Sequence, residues 1–168
     1  MFSKENYKSW CKRCANPKIP APNLKKSVDV NSKMPRKQMI FRGKVVENYF
    51  IDQYGYIISD KKRLLGKYRS FVVSGQSKYP QLILSIDGKK VSTSVHRVVC
   101  ETFHPFPENY PGISKKDWNK TPISVKQELL KNMQVNHIDG NELNFHPSNL
   151  EWVTQIQNIH HYQKNLRK

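Results

Sequence analysis

The chain has 168 residues, with 29 Lys and Arg against 13 Asp and Glu, a formal net charge of +16 and a pI near 9.8. This length suits one ordinary domain, and the charge predicts a polyanionic partner, nucleic acid before an acidic membrane surface. No apolar run reaches the length of a membrane span, the N-terminus lacks the features of a secretory signal, and three cysteines do not suggest a disulfide framework. We therefore expect an intracellular protein.

The charge is unevenly placed along the chain. Residues 1–40 carry ten basic and two acidic residues, residues 41–132 carry sixteen and eight, and residues 133–168 carry three of each. The first segment also contains "NPKIPAPNLKK", in which each Pro removes a backbone donor and restrains the residue before it. It is therefore expected to be an extended basic arm, whereas the neutral last segment is expected to have a different task.

The segment after the arm has the composition of β-strands. From Phe41, "KVVENYFIDQYGYIIS" alternates apolar and polar residues and is rich in aromatic and β-branched types. Tyr54-Gly55 predicts a turn between strands at 49–52 and 56–59.

A hairpin is predicted next, after another short strand around 69–73. The sequence "QLILSIDGKKVSTS" contains strands at 81–86 and 89–94, and Asp87-Gly88 is a favoured two-residue turn. Such a two-stranded ribbon fits the major groove of DNA, so we expect sequence to be read here.

The segment "SVHRVVCETFHP" changes to helical periodicity. Its apolar residues recur at i, i+3, i+4 and i+8, and Pro105 ends the run. These apolar residues are Val95, Val98, Val99 and Phe103. The sequence "ENYPGISKKDWNKTP" that follows is predicted to be a loop, and "SVKQELLKNM" a short helix with Ser124 as its N-cap.

The last segment is predicted to be strand, long loop, strand and helix. The strands lie at 133–136 and 150–153, and Thr154 with Gln157 forms a T-x-x-Q capping box at the start of the helix. An apolar stripe is expected along this helix, formed by Ile156, Ile159 and Leu166.

These elements predict an α+β protein with four parts. Residues 1–40 form the arm, 41–105 a β-rich DNA-binding region with one helix, 106–132 an insertion with a short helix, and 133–168 the strand-loop-strand-helix motif.

The chemistry is expected in the stretch from Met133 to Asn158, which contains five Asn and two His. The predicted hairpin with a helix across it can bring His137, Asn149 and Asn158 together. Imidazole titrates near neutrality, so His137 is the candidate general base. Asn149 can hydrogen-bond the other imidazole nitrogen and fix the tautomer.

The sequence "VNHIDGNELNFHPSNLEWVTQIQN" resembles the HNH endonuclease motif, in the form found in phage and intron-encoded homing endonucleases. The resemblance covers roughly 45–161, with an unusual insertion around 108–131. It implies a ββα-metal fold that hydrolyses double-stranded DNA with a His general base and one divalent metal, Mg²⁺ or Mn²⁺. The implied products carry a 5′ phosphate and a 3′ hydroxyl.

The resemblance assigns the two metal-ligand positions to Asn136 and Asn158. Many relatives have Asp and His at these positions, whereas this chain has two asparagines. The two candidate ligands are therefore neutral amide oxygens, and neither is a carboxylate. Hard cations prefer oxygen ligands, and we expect weak metal binding that tightens when a DNA phosphate completes the site. His161, one turn further, is the reserve ligand and would favour Mn²⁺.

Two functions therefore stay open. The first is a site-specific homing-type endonuclease, in the cytoplasm of a phage-infected bacterium, with no membrane or obligate protein partner. The second is a catalytically weak or inactive HNH-fold protein that binds DNA as a regulator. Relatives often carry a helix-turn-helix module after the motif. None is predicted here, so specificity is expected from the arm and the β-rich middle.

A structural zinc site is a further alternative. Cys11 and Cys14 form a C-x-x-C pair, which is half of a four-ligand site, and Cys100 with His104 could supply the rest. The competing interpretation is that Cys100 packs in the core and the arm cysteines are free.

Basic residues of the arm and the middle are expected to contact the DNA backbone, which gives affinity but little specificity. Arg97 suits either a phosphate contact or a buried ion pair. The candidates are Lys12, Arg13, Lys25, Lys26, Arg36, Lys37, Lys61, Arg63, Arg69, Lys89, Lys90 and Arg97.

Overall fold

The structure of the protein is a computed structural model, which describes residues 35–60, 67–69, 71–73, 79–104 and 110–165. It is an α+β fold with antiparallel sheets, as predicted, and its helices lie in the C-terminal half. No helix in the described ranges is long and apolar enough to cross a membrane.

The first sheet has four strands in the order β1-β2-β3-β4. They are β1 (Arg36–Phe41), β2 (Lys44–Asp52), β3 (Ile57–Ser59) and β4 (Lys67–Tyr68).

Two boundaries predicted in this region are wrong. The sheet begins at Arg36, so the last residues assigned to the arm belong to β1, in which Met39 is fully buried. The strand expected around 69–73 is displaced to β4, and beyond it Val72 makes only an isolated bridge to Gln81.

The predicted turn between β2 and β3 is held by a buried carboxylate. Asp52 is 1% exposed, and its Oδ1 accepts the N–H groups of Tyr54 and Tyr56, each at 2.9 Å. The Tyr68 hydroxyl donates to Oδ2 at 3.2 Å. Burial raises the pKa of Asp52 above its usual value, against the opposing effect of these hydrogen bonds.

Gly55 in this turn lies directly against the C-terminal loop. Its φ is +91°, and a Cβ there would be 2.6 Å from the Phe145 carbonyl oxygen, so only glycine fits. The Phe145 ring packs edge-on against Tyr56 at 5.3 Å and Phe71 at 5.4 Å between ring centroids. The sheet and the loop that precedes β8 are thus joined by a close aromatic contact.

The second sheet is the predicted hairpin, β5 (Gln81–Ile86) and β6 (Lys89–Ser94). Asp87 and Gly88 have φ of 49° and 76°, which is the type I′ turn expected of Asp-Gly. Helix α1 (Val95–Phe103) follows directly, also as predicted.

The insertion is more helical than predicted. The segment expected to be a loop contains α2 (Lys115–Lys120), in which the Ser114 side chain accepts the Asp117 N–H at 3.1 Å as an N-cap. Ser124 lies inside α3 (Ile123–Lys131), and Pro122 is the N-cap residue instead.

The third sheet pairs β7 (Gln134–His137) with β8 (Leu150–Val153), and α4 (Gln155–Asn165) follows. The predicted capping box is present: Gln157 N–H donates to Thr154 Oγ1 at 3.2 Å, and Thr154 N–H donates to Gln157 Oε1 at 2.9 Å.

The apolar stripe predicted on α4 does not pack against the described core. Ile156 is 65% exposed and Ile159 is 46% exposed, and Leu166 lies outside the described residues. Asn158 of this helix instead donates a hydrogen bond to Gln134 of β7 at 2.8 Å.

Helix α1 is at the centre of the fold, because it packs against β1, β6, β7 and β8. Val95, Val98 and Val99 are fully buried in a single apolar cluster that residues of all three sheets share, among them Leu84 and Trp152.

Candidate active site

The end of β7 and one face of α4 enclose a cleft of about 380 Å³. Four residues singled out from the sequence line it: Asn136, His137, Asn158 and His161. The structure therefore brings together the candidate base and the three candidate metal ligands.

His137 is buried at the end of β7, with 5% of its surface exposed. Burial lowers the pKa of His137 to about 4, and the nearby Asp139 carboxylate opposes this shift. Its Nε2 is buried and makes no hydrogen bond within the described part of the chain. At neutral pH the imidazole is thus uncharged and has a nitrogen lone pair able to accept a proton.

Two aromatic rings hold the imidazole in place. Tyr79 stacks on His137 with 5.7 Å between ring centroids and 16° between planes, and His96 meets it edge-on at 5.1 Å. Burial, then the proximity of His137 and Arg97, lowers the pKa of His96 to about 3. Sequence reasoning gave neither Tyr79 nor His96 a role.

Asn149 does not orient the imidazole in the way we expected. Its Oδ1 accepts the Asp139 N–H at 3.0 Å, and its Nδ2 donates to Asp139 Oδ1 and to the Asn144 carbonyl, both at 2.9 Å. Its backbone carbonyl accepts the Ile138 N–H at 2.9 Å. All four bonds fasten the loop that leaves His137, so Asn149 positions the base through the backbone.

The other asparagines of the loop form turns. The Asn141 side chain accepts the Leu143 N–H at 3.1 Å, and the Asn144 side chain accepts the His146 N–H at 3.3 Å. Asn144 Nδ2 also donates to Asp139 Oδ2 at 2.7 Å. Such side chain to backbone bonds substitute for regular structure.

Both candidate amide ligands are held through their nitrogens. Asn136 Nδ2 donates to Glu151 Oε1 at 2.8 Å across the β7–β8 ladder, and Asn158 Nδ2 donates to Gln134 Oε1 at 2.8 Å. Each amide can therefore offer its Oδ1 to a ligand in the cleft. Sequence reasoning missed Gln134 and Glu151, although Gln134 shares a strand face with Asn136.

The donors in the cleft fit a hard divalent cation only weakly. Two neutral amide oxygens suit Mg²⁺ or Mn²⁺, with the remaining positions left to water and phosphate. His161 lines the same cleft. No group of three His, Cys, Asp or Glu side chains able to hold a metal occurs in the described ranges.

The surroundings of Cys100 and His104 do not favour the zinc alternative. Cys100 is fully buried, and burial raises the pKa of its thiol to about 12, which disfavours the thiolate that zinc requires. His104 Nε2 is hydrogen-bonded at 2.7 Å to the carbonyl of Pro147. The other two predicted ligands, Cys11 and Cys14, lie outside the described residues.

The structure decides between the two roles considered for Arg97. Its Nε pairs with Glu101 at 3.0 Å, its NH1 donates to the Met133 carbonyl at 2.8 Å, and its guanidinium lies 4.7 Å from the Trp152 ring centroid. The side chain ties α1 to the residue that precedes β7, so of the two alternatives the structure shows the ion pair.

The remaining DNA-binding candidates are only partly visible. Lys37, Lys89 and Lys90 are exposed, whereas Arg36 lies over the Phe50 ring and Arg69 donates to the Ile83 carbonyl at 3.3 Å. Those outside the described residues are Lys12, Arg13, Lys25, Lys26, Lys61 and Arg63.

Comparisons with known proteins find similarity to HNH endonucleases. Residues 94–160 match a family model described as HNH endonuclease. An uncharacterized HNH endonuclease of Acanthamoeba polyphaga mimivirus is 29% identical over 121 residues, which cover 72% of this chain and 29% of that protein.

A solved structure, described as DNA binding and cleavage by the HNH homing endonuclease I-HmuI, is 26% identical with a TM-score of 0.47. The match covers 69% of this chain and 52% of the other. The chain thus spans about a third of the length of one relative and half of the other. The family match includes α1, β7, β8 and the first half of α4, and it agrees with the resemblance drawn from the residues: the segment 94–160 is similar to HNH endonucleases.

Proposed function

We propose that this protein is a metal-dependent DNA endonuclease of the homing type, with His137 as its general base. One observation carries the proposal: a neutral, buried imidazole shares a single cleft with Asn136 and Asn158, which can present two amide oxygens. The net charge of +16 supports a polyanionic substrate.

Hydrolysis of a phosphodiester needs a base that removes a proton from the attacking water. Nε2 of His137 accepts that proton, while Tyr79 and His96 restrict the ring and Asn149 holds the loop behind it. Asn136 and Asn158 would hold a divalent cation through their amide oxygens. When bound, that ion neutralises charge on the scissile phosphate and the leaving oxygen.

The test is cleavage of supercoiled plasmid and phage DNA in Mg²⁺ or Mn²⁺, with and without chelator, beside His137→Ala. We expect cuts that require metal and that disappear in the variant. Products that keep a 5′ phosphate, measured by end-labelling, agree with the mechanism.

The absence of an acid among the candidate ligands favours a second function, a DNA-binding protein with a weak or inactive HNH site. The second function would be established, and the first excluded, by retarded migration of DNA in gels together with the absence of cuts. Cuts would have to be absent for both the unaltered protein and His137→Ala, in Mg²⁺ and in Mn²⁺. The exposed Lys89 and Lys90 of the hairpin turn are expected to contribute to binding in both cases.

A further inference from the structure

The catalytic hairpin contains an acid beside the site, one strand away from the position where the ligand is neutral. Glu151 is the direct partner of Asn136 in the β7–β8 register, and its Oε1 accepts the Asn136 amide at 2.8 Å. Facing residues of an antiparallel pair project on the same side of the sheet, so the two side chains meet without any change of backbone.

The chemistry of the pair fixes how Asn136 is oriented. An ionised carboxylate can only accept hydrogen bonds, so Asn136 must turn its NH₂ group to Glu151 and its Oδ1 the other way. The equivalent contact of Asn158 is with Gln134, another amide. Two amides can exchange donor and acceptor roles, and that contact leaves the orientation of Asn158 unfixed.

The charge of Glu151 also acts on the cleft. Asn136 is 5% exposed, and a hydrogen bond to a charged acceptor polarises the amide so that Oδ1 becomes a better ligand. Outer residues that hold a metal ligand in this way commonly change metal affinity by about 10- to 100-fold when they are altered.

We propose that Glu151 is a positioning residue of the nuclease site, which aims Asn136 Oδ1 into the cleft and supplies the negative charge that the ligand itself lacks. This inference rests on the metal-dependent function proposed above. Glu151 itself is exposed, so its substitution is not expected to disturb the core.

The experiment measures Mn²⁺ binding to the full chain by electron paramagnetic resonance of the free ion, with and without duplex DNA. Glu151→Gln can either donate or accept, so it releases the amide, and we expect affinity to fall about 10-fold or more. Glu128→Gln removes an equal charge from an exposed pair with Lys131 on α3 and serves as the control.

The double variant Asn136→Asp with Glu151→Gln reverses the direction of the hydrogen bond. The Gln amide then donates to the new carboxylate, whose second oxygen faces the cleft, and affinity is expected to return to at least that of the unaltered protein. In metal-free protein, the side-chain NH₂ signals of Asn136 in the amide NMR spectrum should shift in Glu151→Gln alone.

Four results would overturn the inference. The first two are an Mn²⁺ affinity that is unchanged in Glu151→Gln and an affinity that is undetectable in the unaltered protein. The other two are a double variant that binds Mn²⁺ as weakly as Glu151→Gln, and a loss of affinity accompanied by a lower unfolding temperature. Cleavage by the unaltered protein is scored separately. Cuts without any effect of Glu151 refute this inference alone, whereas an effect on Mn²⁺ binding without cuts refutes the proposed nuclease.

Discussion

Two buried polar groups of this protein differ in whether they are hydrogen-bonded. In the first sheet, both oxygens of Asp52 accept hydrogen bonds, from Tyr54, Tyr56 and Tyr68. In the β7–β8 hairpin, Nε2 of His137 is also buried but makes no hydrogen bond within the described chain. A fully satisfied buried group serves the fold, and an unsatisfied one costs stability unless a substrate completes it.

The largest expected effect comes from the unsatisfied group. We expect His137→Ala to lower the rate of DNA cleavage about 100- to 10,000-fold, the contribution typical of a general base. Initial rates on plasmid DNA measure this, and DNA binding in chelator should persist. His160→Ala, an exposed histidine on α4, is the control, and equal rates for the two variants would contradict the assignment.

The junction between the two regions should be next in size. Gly55→Ala forces a side chain at positive φ into the Phe145 carbonyl, and we expect it to lower the free energy of unfolding by about 2–4 kcal/mol. Gly43→Ala has similar strain at φ +73° with no atom within 4 Å, so it separates strain from contact. Urea unfolding measures both, and an equal loss in the two variants would mean that the contact contributes nothing.

Asp52 itself should affect stability and not chemistry. Asp52→Ala leaves the N–H groups of Tyr54 and Tyr56 without their acceptor, and we expect a loss of about 1–3 kcal/mol in unfolding free energy. The cleavage rate of the folded fraction should stay within twofold of the original. A large fall in that rate would erase the distinction between the two regions.

The smallest effect is on the pH dependence of stability. In the folded protein, burial lowers the pKa of His96 to about 3 and that of His137 to about 4, from the ordinary value of 6.5. As pH falls below 6.5 the unfolded chain takes up more protons, so stability present above pH 6.5 is lost towards pH 3–4. The raised pKa of Asp52 acts in the opposite direction, because the folded state then binds the extra proton.

The measurement is urea unfolding at pH 7 and pH 5. His96→Gln should reduce the slope of unfolding free energy against pH by at most about 1.4 kcal/mol per pH unit, whereas His160→Gln should leave that slope unchanged. An identical slope in His96→Gln and in the unaltered protein would mean that His96 does not contribute to the pH dependence of stability.

Local patterns predicted the hairpin 81–94, helix α1 and strand β8, because turn chemistry and apolar spacing are written in adjacent residues. The start of β1 was missed because its exposed positions are basic, which resembles an arm. The α4 stripe was misjudged because Ile156 and Ile159 have helical spacing, and spacing alone does not show which face is buried.

The site followed the same division. The motif identified His137, Asn136 and Asn158, since their types and order are sufficient. The contacts of Glu151, Gln134, Tyr79 and His96 depend on strand register and on packing between distant segments. Those contacts could not be read from any one stretch of sequence.

The sharing of one core by three small sheets has a consequence for cooperativity. A two-stranded hairpin such as β7–β8 is marginal by itself in water, and its inner face is covered by α1 and by residues of the other sheets. The β7–β8 hairpin is therefore not expected to fold when it is separated from the rest of the chain. Amide protons of β7 should exchange with solvent through the same global opening as those of β2, so the site and the sheet are lost together when the protein unfolds.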